Sequence, residues 1–199
     1  PEATITHRVE RPDYTLECQV LKVAPGLYCT ANLYLPKKGA KPYPFIIYQS
    51  GHSPNGPYGN KSQFKHHGAW FAARGIAVLI TDTIEMGELK VTHHGPYYYE
   101  WYDWYSRGYS PLSAEIFNAR RAIDYLVTRP ELDPQRIGAT GISGGGVCTF
   151  FLAATDPRVK AAAPVSGECS TLGHIEGRLA VQHCDCMYTV NGAGLMFSE

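Results

Sequence analysis

The chain has 199 residues, of which 44% are hydrophobic and 18% are charged, enough for one domain with a sizeable core. Its 18 Lys and Arg residues balance its 18 Asp and Glu residues, so no overall field would attract nucleic acid or an anionic membrane surface. The longest apolar runs, such as IAVLI at 76–80, fall far short of the roughly 20 residues that span a bilayer. We therefore expect neither nucleic-acid nor membrane partners.

The compartment is only weakly indicated by the two features that bear on it. The chain begins at Pro1 without Met and without a basic-then-apolar leader, which fits either a mature form whose signal peptide has been removed or a trimmed chain. A secreted or periplasmic location is favoured. The six cysteines are too sparse for a disulfide scaffold. A turn at Pro25-Gly26 would place Cys18 nearer Leu33 than Cys29, which argues against a bridge between these two cysteines.

The first half of the chain predicts a hairpin followed by a strand, a helix and a strand. Residues 15–23 and 27–36 flank Pro25-Gly26 and predict two antiparallel strands. The β-branched, uninterrupted apolar runs at 44–50 and 76–82 are typical of central strands that are covered on both faces. Between these two runs, a rough apolar stripe predicts a helix from Ser62 to Arg74, before Gly75.

The second half of the chain continues this alternation. Ser110 and Pro111 predict the start of a second helix, which ends before Pro130. A further strand, helix and strand follow within residues 136–167. The pattern predicts an α/β fold with a mainly parallel sheet, helices on both faces and an N-terminal antiparallel hairpin. Loops that follow the parallel strands would then meet along one rim, where such sheets bind ligands.

Residues 141–145, GISGG, match the G-x-S-x-G pattern, in which a serine occupies a strained turn between a strand and a helix. Gly141 and Gly145 would allow neighbouring backbone to pass close by. The hydroxyl of Ser143 would stand above the sheet as a nucleophile, and the Gly144 N–H would face the developing oxyanion. The alternative is a glycine-rich bend without chemistry. A phosphate-binding loop is disfavoured because the Lys-Ser/Thr of a P-loop is missing here.

These residues and the order of the elements resemble the α/β-hydrolase superfamily, with GISGG after the fifth strand. The stretches YLPKKGAKPYPFIIYQSGHSPNG, ITDTIEMGE and RPELDPQRIGATGISGGG are similar to the acetyl xylan esterase and dienelactone-hydrolase-like branches. The resemblance implies a single domain over residues 1–199 that lacks the last two strands. It also implies a second oxyanion donor, which we assign to the backbone N–H of His52. The imidazole of His52 could equally be a rim side chain without a catalytic part.

The same resemblance implies a catalytic acid after the seventh strand and a histidine after the eighth. The last strand predicted here covers residues 159–166. Either the chain is a fragment whose acid and base lie beyond Glu199, which we favour, or its tail supplies substitutes. Among the tail residues, Glu168 is the preferred acid and His183 the preferred base, ahead of His174 and Asp185.

Two further motifs contain residues that could bind a metal. The stretch QHCDCMY at 182–188 offers one histidine and two cysteines, but adjacent residues rarely converge on one ion. The pair His93-His94, near Glu85 and Glu88, is predicted to be a solvated loop, with a metal site as the weaker alternative. We expect neither a metal nor another cofactor.

An aromatic segment, residues 95–111, holds eight rings in a predicted loop on the same rim as Ser143. Flat amphipathic rings stack well on sugar faces, so a set of four aromatic residues is predicted to bind substrate: Tyr97, Tyr98, Trp101 and Trp104. The alternative is that the rings only pack a long loop onto the body.

The sequence thus predicts a serine esterase that hydrolyses carboxylic esters, of small molecules or of carbohydrate, through an acyl-enzyme. The resemblance implies an activity like that of acetyl xylan esterases, which act on carbohydrate esters. A serine peptidase of the prolyl-oligopeptidase kind is one alternative. An inert, truncated hydrolase fold that only binds a ligand or partner is the other. The sequence makes no prediction of the oligomeric state.

Overall fold

The computed structural model describes residues 2–53 and 58–167, apart from the side chains of Tyr97 and Tyr98. Its strands are β1 Glu2–Glu10, β2 Tyr14–Ala24, β3 Leu27–Pro36, β4 Tyr43–Gln49, β5 Ala77–Thr81, β6 Leu132–Ile142 and β7 Val159–Val165. Its helices are α1 Asn60–Gln63, α2 Lys65–Ala72, α3 Gly95–Tyr99, α4 Asp103–Ser106, α5 Pro111–Leu126 and α6 Gly144–Thr155. The described strands form one sheet in the order β1-β2-β3-β5-β4-β6-β7.

The sheet has a parallel half and an antiparallel half. The pairs β5–β4, β4–β6 and β6–β7 are parallel, whereas β1–β2, β2–β3 and β3–β5 are antiparallel. The α/β class and the N-terminal antiparallel hairpin are therefore confirmed. Because the loops after β4, β5, β6 and β7 follow parallel strands, they leave the sheet at the same edge.

The first strand, β1, was missed by the sequence prediction. Its residues EATITHRVE contain few apolar side chains, and the strand is largely exposed at the edge of the sheet, so the alternation that reveals a half-buried strand is weak. As a consequence, GISGG follows the sixth strand rather than the fifth. The strand at Val159–Val165 is the seventh.

Helices cover both faces of the sheet, as predicted. On one face, α5 and α6 pack against the main core through Ala119, Ile123, Leu126 and Leu152. On the other face, Ala72 of α2 packs against a smaller cluster around Tyr34, Tyr48 and Ile80. Helix α5 begins as predicted, because the Ser113 backbone N–H donates to the Ser110 hydroxyl at 3.2 Å.

The prediction of one continuous helix from Ser62 to Arg74 is wrong. The structure has two helices, α1 and α2, separated at Phe64, whose φ of −95° and ψ of 15° interrupt the helical backbone. The ring of Phe64 packs against Tyr48, with ring centroids 5.7 Å apart. Burial of this side chain against the sheet thus accompanies the break.

Two further features of the described residues concern cysteines and membrane spans. Cys18 lies opposite Asn32, next to the predicted Leu33, and Cys29 lies opposite Leu21. Both thiols are free. In the described part of the chain, no helix is both long and apolar enough to cross a bilayer.

Candidate active site

Ser143 lies between β6 and α6 in the strained turn that the G-x-S-x-G pattern predicts. Its φ is 59° and its ψ is −124°, a backbone conformation that costs a residue with a Cβ about 1–3 kcal/mol. The Ser143 N–H donates to the Val165 carbonyl at 2.8 Å, and the Ser143 carbonyl accepts from the Gly146 N–H at 2.8 Å. Hydrogen bonds on both sides hold the turn, and Ser143 is exposed at the rim.

Gly141 and Gly145 allow the carboxyl end of β4 to pack directly against this turn, as predicted. A Cβ on Gly145 would lie 2.1 Å from the Gln49 carbonyl oxygen, and a Cβ on Gly141 would lie 2.3 Å from the same atom. Since both contacts involve backbone, they cannot be relieved by the rotation of a side chain.

Replacing Gly145 with alanine should lower the free energy of unfolding by about 1–3 kcal/mol, since the added methyl group must displace backbone. The change should also shift the neighbouring Gly144 amide and lower the esterase activity that the sequence predicts. Urea unfolding and kcat/KM measure the two effects. The control is Gly138→Ala, whose Cβ would lie 3.4 Å from the flexible Ile46 side chain and no closer than 3.6 Å to backbone atoms. Equal effects of the two substitutions would contradict the prediction.

The predicted oxyanion amides belong to two chain segments that meet at the turn. The Gly144 N–H lies in the first turn of α6, where backbone N–H groups have no acceptor within the helix. His52 follows β4 and its imidazole lies against Gly144, because a Cβ on Gly144 would be 3.0 Å from His52 Nε2. The segments carrying both assigned amides are therefore adjacent. The role of the His52 N–H stays a prediction.

Asn60 holds the segment that carries His52, a role that the sequence analysis did not predict. Its buried side chain donates to the Gly51 carbonyl at 2.8 Å and accepts from the Ser53 N–H at 3.2 Å. It also donates to the Thr83 hydroxyl at 3.0 Å. Asn60 thus fixes the loop after β4 to the segment after β5. The N-x-S pattern at residues 60–62 marks this asparagine only as a potential glycosylation acceptor, and its buried partners are set by the fold.

The interpretation of His93-His94 as a solvated loop is wrong. His93 is fully buried and His94 is 7% exposed. Nε2 of His93 lies 2.8 Å from Nε2 of His52. The segment after β5 folds over the rim because the Glu85 carboxylate accepts the backbone N–H groups of both histidines, at 2.6 and 3.3 Å. The predicted proximity of Glu85 is confirmed.

The aromatic segment forms two short helices, α3 and α4, instead of the predicted loop. Trp101 is 52% exposed, and its ring packs on Tyr99 with centroids 4.9 Å apart. Trp104 is half-buried, and its indole N–H donates to the Thr92 carbonyl at 2.8 Å. Trp104 therefore anchors the segment, whereas Trp101 and Tyr99 offer ring surface to solvent. The side chains of Tyr97 and Tyr98 are not among those described.

The predicted acid and base, Glu168 and His183, lie outside the described residues, as do His174 and Asp185. The last described residue, Gly167, contacts the turn directly. A Cβ on Gly167 would lie 2.5 Å from the Ser143 carbonyl oxygen. The chain thus leaves β7 beside the serine.

Comparison with known proteins gives one family match, over most of the chain. Residues 26–189 match the model of the X-Pro dipeptidyl-peptidase (S15 family). The matched range contains the whole G-x-S-x-G turn, the aromatic segment, and the histidines at positions 52, 93 and 94.

Individual relatives are longer than this chain. Hydrolase YtaP of Bacillus subtilis (strain 168) is 26% identical over 188 residues, which cover 87% of this chain and 59% of YtaP. The structure of Methylesterase BT1017 superposes with a TM-score of 0.70 at 26% identity, over 85% of this chain and 36% of that one. The acetyl xylan esterase from Paenibacillus sp. R4 has a TM-score of 0.65 at 23% identity, over 87% and 56%. The chain therefore spans less than two thirds of each relative.

Proposed function

Because the chain belongs to the X-Pro dipeptidyl-peptidase (S15) family, we propose that it carries the nucleophile of a serine hydrolase that cleaves carboxylic esters. The observation that carries this proposal is the exposed Ser143 in a strained turn at the start of α6. The strained conformation does not improve the packing of this exposed serine. It is instead the conformation that places the hydroxyl above the rim, where a substrate can reach it.

The proposed reaction proceeds through an acyl-enzyme. The Ser143 Oγ attacks the ester carbonyl carbon while a general base takes its proton, and the N–H groups of Gly144 and His52 stabilise the oxyanion. The alcohol leaves with a proton from the same base, and water then hydrolyses the acyl-enzyme. We propose that the base and its carboxylate come from residues that the structure does not describe, with His183 and Glu168 as the candidates within this chain.

Carbohydrate esters are the proposed substrate class. Structures similar to this one include a methylesterase and an acetyl xylan esterase. The exposed rings of Tyr99 and Trp101 belong to the segment that begins just after His94, whose ring packs on that of His52, and this supports a place for them near Ser143. Flat rings at this place can stack on a sugar while its ester reaches the serine. A substrate of this kind fits a secreted or periplasmic location.

A peptidase is the second candidate, and the observation that favours it is the description of the matching family, an X-Pro dipeptidyl-peptidase. Both activities need the same nucleophile and oxyanion donors. They differ in the leaving group, because an amine must be protonated as it departs and an alcohol is a better leaving group. Substrate comparison therefore separates the two candidates.

The test compares ester and peptide substrates with the natural polypeptide that contains this chain. We expect hydrolysis of p-nitrophenyl acetate and release of acetate from acetylated xylo-oligosaccharides, with no measurable cleavage of Ala-Pro-p-nitroanilide. Cleavage of the anilide alone would establish the peptidase and contradict the ester proposal. If no substrate turned over, the inert binding fold would be favoured.

The carbohydrate part of the proposal has its own readout in the same assay. Trp101→Ala should raise KM for the oligosaccharide by up to about tenfold, since an aromatic contact contributes about 0.5–1.5 kcal/mol, and should leave p-nitrophenyl acetate unaffected. Trp70→Ala is the matched control, because Trp70 is 54% exposed but lies on α2. Equal effects of both substitutions would remove the support for a sugar-binding surface.

A further inference from the structure

Three imidazoles converge beside the Ser143 turn from two separate segments of the chain. His52 follows β4, and His93 and His94 precede α3. One ring nitrogen of each lies within 4.8 Å of the other two. The ring centroids are 4.5, 5.0 and 4.6 Å apart for the pairs 52–93, 52–94 and 93–94. One nitrogen of each ring is therefore close enough to the other two for all three to reach one ion.

A buried carboxylate stands behind this cluster. Oε1 of Glu115, on α5, lies 3.4 Å from Nδ1 of His93, and both residues are buried. Metal-binding histidines commonly direct the second ring nitrogen to a carboxylate, which orients the ring and makes it a better ligand. The Glu85 carboxylate adds a second constraint, because it fixes the backbone of both His93 and His94. The His93 ring and the backbone of both His93 and His94 are therefore oriented before any ion binds.

We propose that His52, His93 and His94 bind one divalent transition-metal ion, with Zn²⁺ as the best fit. Zn²⁺ accepts three imidazoles and a water in a tetrahedral site, with Zn–N distances of about 2.0–2.1 Å, which corresponds to nitrogens about 3.4 Å apart. The nitrogens of His52 and His93 are 2.8 Å apart, and all three lie within 4.8 Å. Binding therefore requires the half-buried His52 ring to rotate so that its nitrogen moves away from that of His93.

The ion would join the two segments that meet at the rim. His52 belongs to the segment with the assigned oxyanion amide, whereas His93 and His94 lead into the aromatic segment. A bound ion would fix these segments relative to each other and to α6, on which the His52 ring rests. Binding does not depend on the proposed esterase reaction, so Ser143→Ala should bind the ion like the unaltered protein.

The experiment uses the natural polypeptide without an affinity tag, stripped of metal with a chelator. We expect calorimetry to show one Zn²⁺ bound per chain, and Co²⁺ to produce the visible absorption of a tetrahedral site. Zn²⁺ at about 100 times its Kd should raise Tm by roughly 5–10 °C. His52→Gln and His93→Gln should each lose binding and the Tm shift.

Two controls keep the result specific to this cluster. His66→Gln alters an exposed histidine on α2 and should bind Zn²⁺ normally. His183→Gln alters the tail, where cysteines could also hold zinc, and should bind normally too. If buried His93→Gln fails to fold by circular dichroism, half-buried His52→Gln decides. Zn²⁺ binding retained in folded His52→Gln, or absent from the folded unaltered protein, would overturn the proposal.

Discussion

Replacing Ser143 with alanine is expected to lower kcat/KM for ester hydrolysis by about 10⁴- to 10⁶-fold, since no other group would form the acyl-enzyme. Initial rates with p-nitrophenyl acetate measure the loss. Ser62→Ala, on α1, is the matched control and should keep the rate of the unaltered protein. A decrease of less than about tenfold in Ser143→Ala would place the nucleophile elsewhere.

Ser143→Gly separates the strain in the turn from the chemistry. Glycine adopts positive φ without the penalty that a Cβ brings, but it also gives the unfolded chain more freedom, so this variant should be more stable by up to about 2 kcal/mol while its activity is lost. Urea unfolding checks the gain in stability. A variant that is both inactive and less stable than the unaltered protein would show that the turn at φ 59° is not strained.

Replacing Arg129 with methionine is expected to lower the free energy of unfolding by about 2–3 kcal/mol, because a buried carboxylate would lose one of its two cationic partners. Arg129 donates to Glu17 at 2.9 Å, and only 2% of Glu17 is exposed. The second cation on Glu17, Arg8, keeps its two hydrogen bonds to Oε1 at 2.9 and 3.1 Å, but it is largely exposed and compensates only in part. The double variant with Glu17→Gln should recover part of the loss. Urea unfolding measures both, and a loss below about 1 kcal/mol in Arg129→Met would contradict the prediction.

The pH dependence of this effect follows from the pKa of Glu17. Burial opposes ionisation of Glu17, but hydrogen bonds and charge from Arg129, with hydrogen bonds from Arg8 and Gln19, outweigh it and hold the pKa below its ordinary value. Since the pKa is lower in the folded state, the stabilisation is full above the unfolded pKa and is lost as the pH falls through the folded value. The difference between Arg129→Met and the unaltered protein should therefore be large at pH 7 and should shrink below about pH 4.

Much of the parallel half of the fold was predictable because its strands have a strong local signal. The runs at 44–50 and 76–82 are apolar and β-branched, and they form β4 and β5 within the core. The turn at Ser143 was predictable for a different reason. Close backbone packing excludes a Cβ at two defined positions, so the glycines themselves mark the geometry. In both cases a few consecutive residues carry the signal that determines the local structure.

Features that depend on distant contacts were not predictable from the sequence. Strand β1 pairs at the sheet edge with few apolar residues, so its pattern resembles a loop. The burial of His93 depends on Glu85 and on Glu115, which comes from α5. Asn60 acts on Gly51 and Thr83 only because β4 and β5 are neighbours. Contacts of this kind become visible only once the sheet order is known.

Covalent labelling of the natural polypeptide with a fluorophosphonate tests the central claim most directly, because the probe reacts with activated serines. Peptide mass mapping should find one adduct per chain, on the peptide that contains Ser143, and none in Ser143→Ala. An adduct on a different serine, or unchanged labelling of Ser143→Ala, would contradict the assignment of Ser143 as the nucleophile.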